Sequence, residues 1–209
     1  MTITRKSVAI LIALLVLITG AVAATTALAS QGYVAGYGDK PDKGKQYGKV
    51  KTVKFDVAED ATRFVFDDEP RDDDGLPEYG NSFVTQGYIY PEGTLEESNG
   101  VKANGEPEFP NKVIGEWTCR GWFIGEGATT ESGPWVSTTQ LYDLGDEPGE
   151  VTLVTDGSEI SDVNEEVKRA ITGGTGPYKR AAGEGGQTLL GFNATEGVNL
   201  SFELKVQKR

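Results

Sequence analysis

The sequence predicts an all-β fold, either a sandwich or a closed antiparallel barrel. Three observations point there. Apolar residues recur at every second position in several short runs. Glycine, at 28 of 209 residues, is concentrated between those runs. No stretch after the first thirty residues carries an amphipathic helical repeat. The length suits one domain with a sizeable core. A closed barrel has the further merit of leaving no free sheet edge.

Regular structure is expected from about Val50. In Lys51–Val57, the positions Val53, Phe55 and Val57 alternate with Thr52, Lys54 and Asp56, which is strand period. Thr62–Phe66 reads as a second short strand, followed by an acidic loop, Asp67–Gly75. Strands then follow over Ser82–Tyr90, Lys112–Ile124, Trp135–Leu144, Glu150–Asp156, Glu166–Thr172, Tyr178–Phe192 and Val198–Val206, separated by glycine- and proline-rich turns. Gly183, Gly185 and Gly186 suggest a bulge in the sixth of these runs, Tyr178–Phe192. In the last, Val198, Leu200, Phe202, Leu204 and Val206 share one face.

The first residues read as a secretory leader. Arg5 and Lys6 precede an apolar run from Val8 to Ile18, and Ala27-Leu28-Ala29 matches a cleavage site before Ser30. The expected organisation is a signal peptide over 1–29, a flexible linker over 30–49 and a β-barrel domain over 50–209. An uncleaved membrane anchor over Val8–Ala29 is the alternative. Export without disulfides fits a bacterial or archaeal envelope.

Composition excludes several chemistries. The chain has no histidine, so Ser-His-Asp and Cys-His catalysis and histidine-ligated metals fall away. One cysteine, Cys119, leaves no intrachain disulfide. The net charge of −12 argues against nucleic acid as a partner. The Asp72-Asp73-Asp74-Gly75 run lacks the EF-hand spacing and reads as a solvated loop. Asn193-Ala194-Thr195 and Asn199-Leu200-Ser201 are glycosylation-type sequons only in a glycosylating host.

The most specific block is Ile171-Thr172-Gly173-Gly174-Thr175-Gly176, followed by Tyr178, the basic pair Lys179-Arg180, and Ala181-Ala182-Gly183. It resembles the signature of the allene oxide cyclase/dirigent superfamily. Consecutive glycines there suit a tight reversal with positive φ. No Gly-Lys-Ser/Thr follows, which sets aside a phosphate loop. Asn81–Tyr90 and Glu116–Phe123 look like the family's early and central strands, so the resemblance covers roughly Asn81–Val206. It implies a closed antiparallel barrel of about eight strands with an apolar cavity, often assembled into dimers or trimers. It also implies a cofactor-free strategy, in which the barrel encloses a reactive molecule and fixes the geometry of its ring closure or coupling.

Candidate site residues follow from strand parity. On Val113–Ile124 the uncharged face, with Trp117, Cys119 and Phe123, is assigned to the interior. Gln140 and Tyr142 supply neutral hydrogen-bonding groups for a substrate oxygen, and Tyr88 adds aromatic wall. Glu116 and Arg120 occupy the opposite face. They are secondary candidates that would anchor a substrate only if the faces were reversed. The expected function is a secreted barrel that binds a small lipophilic, oxygenated molecule and directs its stereoselective cyclisation or isomerisation, as an intramolecular cyclase. No metal, cofactor or nucleic acid is expected, and membrane contact only through an uncleaved leader. The alternative is a non-catalytic lipophile-binding or structural module of the cell envelope.

Overall fold

In the computed structural model, the described residues are 49–208. The leader over 1–29, and the linker up to residue 48, lie outside them. Nine strands follow in order: β1 Lys51–Glu59, β2 Val65–Phe66, β3 Ser82–Pro91, β4 Gly115–Phe123, β5 Pro134–Leu144, β6 Thr152–Ile160, β7 Glu166–Gly174, β8 Ala181–Phe192 and β9 Val198–Lys208. Eight of them form an antiparallel barrel, in which each strand pairs with the next and β1 closes the circle by pairing with both β9 and β3. The ninth, β2, adds to β3 through Val65↔Val84 and Phe66↔Phe83. The expected run Thr62–Phe66 is thus shared between a 3₁₀ turn over Ala61–Arg63 and this short strand. The only helical elements among the described residues are four such three-residue turns.

Alternation builds the core. Phe55 and Val57 of β1, Leu200, Phe202, Leu204 and Val206 of β9, and Ile89 of β3 all point inward and are buried. Phe55 stacks on Phe202 at 5.2 Å, and Tyr142 meets both rings edge-on, at 4.9 and 5.1 Å. Strand direction divides the connections between two ends. The segments 60–81, 124–133, 161–165 and 193–197 lie at one end, called upper here; 92–114, 145–151 and 175–180 lie at the other. At the upper end Phe64, Phe83 and Phe123 form a chain of rings 5.2–5.3 Å apart, with Trp135 beside Phe123.

The segment 92–114 returns along the outside of β1 and β3. There Leu95 and Val101 cover Ala58 and Tyr90 in a second apolar cluster. The Leu95 amide donates to Asp56 Oδ2 at 3.0 Å, and the Tyr90 hydroxyl to the Gly100 carbonyl at 2.6 Å.

Two expectations are corrected. In the Gly-Gly-Thr-Gly reversal only Gly176 has positive φ (54°). Gly173 and Gly174 instead close β7, and a Cβ at Gly174 would lie 2.3 Å from the Thr152 carbonyl oxygen, so this glycine is needed for close approach to β6. The irregularity in β8 falls between Leu189 and Gly191 rather than at Gly183–Gly186, where pairing with β9 is continuous. Both sequon asparagines are buried. Asn193 Nδ2 donates to the Glu59 carbonyl at 2.8 Å and Asn199 Nδ2 to the Ser98 carbonyl at 3.1 Å, so their amides serve the fold.

Phe202 touches two other rings in the middle of the core. Replacing it with alanine is expected to cost about 3–5 kcal/mol, read as a lowered urea midpoint at unchanged slope.

Candidate functional site

The middle of the barrel is polar. Register aligns the inward side chains of neighbouring strands: Cys119↔Gln140, Gln140↔Thr155, Val136↔Glu159 and Val167↔Gln187. Thr138, Gln140 and Tyr142 of β5, Thr155 and Glu159 of β6, Arg169 of β7 and Gln187 of β8 are all buried. So many polar groups inside a barrel must satisfy one another, because no water shell remains to do so.

Glu159 is the common acceptor. Its Oε1 receives Thr138 Oγ1 at 2.6 Å, Gln140 Nε2 at 2.7 Å and the Cys119 thiol at 3.6 Å; its Oε2 receives Gln187 Nε2 at 2.7 Å. Arg169 is the matching cation. Its Nε donates to Thr155 Oγ1 at 3.0 Å, and its Nη2 to Thr138 Oγ1 at 2.9 Å and the Thr138 carbonyl at 3.0 Å. Arg169 Nη1 lies 3.8 Å from Glu159 Oε1, an ion pair too long for a hydrogen bond. The network extends downward. Gln140 Oε1 accepts from the Tyr142 hydroxyl at 2.6 Å and from the Trp117 indole at 3.2 Å, while Tyr142 and Thr155 hydroxyls are 3.0 Å apart.

Gly157 makes room for this arrangement. It occupies the inward position between Thr155 and Glu159, and a Cβ there would meet Arg169 Cα and Cγ at 3.3 Å. The cluster is nearest to solvent at the upper end. The Glu159 side chain is 10% exposed and that of Arg169 0%.

A second carboxyl, Glu59, faces inward from the end of β1. Thr85 Oγ1 donates to its Oε1 at 2.6 Å and the Val198 amide to its Oε2 at 2.8 Å. No cation pairs with it among the described residues, and burial pushes it up to about 7. Burial, reinforced by Glu159, also holds the Cys119 thiol well above its ordinary value, which makes it a poor nucleophile. The Tyr142 phenol is likewise raised by burial.

Among the residues singled out from sequence, Trp117, Cys119, Phe123, Gln140 and Tyr142 all face the interior. Tyr88 does not. Parity places Thr85, Gly87 and Ile89 inside, so Tyr88 lies on the outer face under segment 92–114. Its hydroxyl donates to the Gly105 carbonyl at 2.9 Å, and the Arg63 guanidinium covers its ring. Glu116 and Arg120 are exposed on the outside of β4 and cannot anchor an interior ligand. The expected apolar cavity is also corrected, since the interior is occupied by the barrel's own rings and this polar cluster. Two clefts lie outside it, one along Gly125–Pro134 and one between Leu95–Asn99 and Leu190–Phe192. Sequence reading missed Glu159, Arg169, Gln187 and Glu59. The signal was present in parity: Glu159 shares a face with Leu153, and Arg169 with Ile171.

No family model matches the chain, and no curated protein is similar to it in sequence. Solved structures are similar in shape. The pterocarpan synthase dirigent protein GePTS1 superposes with a TM-score of 0.54 at 16% identity, covering 79% of this chain and 93% of that one. The pterocarpan synthase dirigent protein PsPTS1 gives 0.53 at 18% identity, covering 78% and 97%. The fold is that of the dirigent proteins. A pyocyanin demethylase superposes at 0.48, with 17% identity over 75% of this chain and 99% of that one. In the dirigent-type barrel described here, the Glu159–Arg169 cluster occupies the centre and the ring chain of Phe64, Phe83 and Phe123 closes the upper end.

Two outcomes follow from these environments. Glu59 binds its proton more tightly when folded (about 7) than at its ordinary value of 4.5. Its contribution to stability is therefore full below about pH 4.5 and lost as pH rises through about 7, by about 3 kcal/mol. Urea titrations across this range should show that slope in the native protein and a flatter one in Glu59→Gln, whose amide can still serve Thr85 and Val198. Cys119 is expected to react with a thiol reagent only after denaturation, with native labelling no faster than global unfolding.

Proposed function

We propose that this dirigent-type barrel receives a small oxygenated, largely apolar molecule at its upper end and directs its stereoselective cyclisation or isomerisation without a cofactor. One observation carries the reading: a buried carboxylate–guanidinium cluster, assembled from five consecutive strands, in the middle of a mainly apolar barrel. A core that only had to be filled would be at least as stable with apolar side chains, because desolvating an ion pair costs more than the pair returns in most proteins. Polar groups fixed in a dry interior are instead suited to orienting a ligand oxygen and stabilising charge that develops on it. The upper rings Phe64, Phe83, Phe123 and Trp135 would hold the apolar remainder. In this reading the protein works outside the cytoplasm, delivered by its leader, as an assembly of two or three copies.

A second reading is a non-catalytic envelope barrel. The packed interior, with Trp117, Tyr142, Phe55 and Phe202 filling the space below the cluster, favours it.

The two readings separate in the purified protein by native mass spectrometry and solvent extraction. The first expects a retained small molecule that is absent from a folded Glu159→Leu/Arg169→Met variant. Recovery of no molecule from the native protein, together with equal or higher stability of the variant, would leave the structural reading.

A further inference from the structure

Every polar side-chain atom of the central cluster has a hydrogen-bond partner except one. Arg169 Nη1 is fully buried and has none among the described residues. The rest of the guanidinium is clamped, by Thr155 on its Nε edge and Thr138 at Nη2. Rotation therefore cannot rescue the orphaned N–H groups. A buried donor of this kind costs stability unless something accepts from it.

Charge narrows what that acceptor is. Glu159 already balances Arg169, with Oε1 at 3.8 Å from Nη1. An anion placed at Nη1 would sit against this carboxylate and be repelled, whereas a neutral oxygen would accept from Nη1 without adding charge. Position narrows it further. Glu159 pairs in register with Val136, and Val136 with Phe123, so the carboxylate shares a cross-strand row with one of the upper rings. Phe64 and Trp135 there are only partly buried and offer flat apolar surface.

Resting on the ligand-binding reading above, we propose that Arg169 Nη1 is the binding point for the neutral carbonyl oxygen of a flat, conjugated ketone whose hydrocarbon body lies among Phe64, Phe83, Phe123 and Trp135. A water molecule at Nη1 would be displaced by the ketone oxygen, which reproduces its accepting role. The guanidinium would draw electron density toward the oxygen and so polarise the conjugated system.

The test uses three probes on the intact protein: benzylideneacetone, a neutral conjugated ketone; trans-β-methylstyrene, which lacks the oxygen; and cinnamate, which carries a carboxylate. Calorimetry should show the ketone binding roughly 10- to 100-fold more tightly than either other probe, as expected for a hydrogen bond from a charged donor. The infrared carbonyl stretch of isotopically labelled benzylideneacetone should move to lower frequency on binding. Arg169→Met should abolish both the preference and the shift, so that ketone and methylstyrene bind alike. Arg169→Lys, which keeps the charge but loses the second amino group, should likewise lose both the preference and the shift. The comparison of probes on the native protein stands even if a variant fails to fold. Equal binding of ketone and hydrocarbon with an unshifted carbonyl would overturn the Nη1 site and leave the binding reading intact, as would tightest binding of cinnamate. Binding of none of the three would overturn both.

Discussion

A guanidinium taken wholly out of water must be neutralised and its donors satisfied, or the fold that buries it is penalised by several kcal/mol. In this barrel Arg169 obtains most of these terms from two neighbouring strands. Thr138 of β5 and Thr155 of β6 accept from it, Glu159 of β6 opposes its charge, and Gly157 leaves space for its stem. Glu159 in turn holds Gln140 and Gln187, and Gln140 holds Trp117 and Tyr142. The side-chain order of strands β4 to β8 thus depends on one cation. A one-residue slip of β7 would send Arg169 to the outside and leave Glu159 without its counter-charge, so the cluster also specifies register.

Such a cluster is expensive to keep, and the layers around it explain how the barrel tolerates it. Eight strands enclose a space narrow enough for side chains to fill. Below the cluster, Phe55, Phe202, Leu204 and Leu153 pack as an apolar floor; above it, Phe83 and Phe123 exclude water. Burial of these residues supplies the hydrophobic stabilisation against which the polar centre is set. The same exclusion strengthens every electrostatic interaction within it, which makes the one unpartnered donor conspicuous.

The dirigent-type fold gives the two ends different duties. The long lower excursion, 92–114, turns back over the outer wall and is fastened by Tyr90, Tyr88 and Asp56, so it braces the closing pair of β1 and β3. The upper end carries the half-buried rings and the exposed edge of Glu159, and is the direction from which the cluster meets solvent. Glu59, buried at that same end with no cation beside it among the described residues, ties β1 to Thr85 of β3 and to the first residue of β9. Its protonation is coupled to barrel closure, and the charge of Glu159 adds to the effect of burial in favouring it.

Much of this was legible in the chain itself. Alternation along β4, β5 and β9 placed Trp117, Cys119, Phe123, Gln140, Tyr142 and Phe202 on inward faces, because side chains in a strand point to opposite sides by geometry alone. The Gly173–Gly176 block pointed to the barrel type. Tyr88 was misjudged because an aromatic side chain can be covered from outside as well as from within, and segment 92–114 does this only once folded. The central pair was missed for a related reason. Parity assigns Glu159 and Arg169 to a face but cannot say how far β6 extends or which residues lie opposite across strands. The meeting of one acid and one base inside the barrel is set by inter-strand register and closure. These depend on contacts between residues distant in sequence, so the tertiary structure alone decided them.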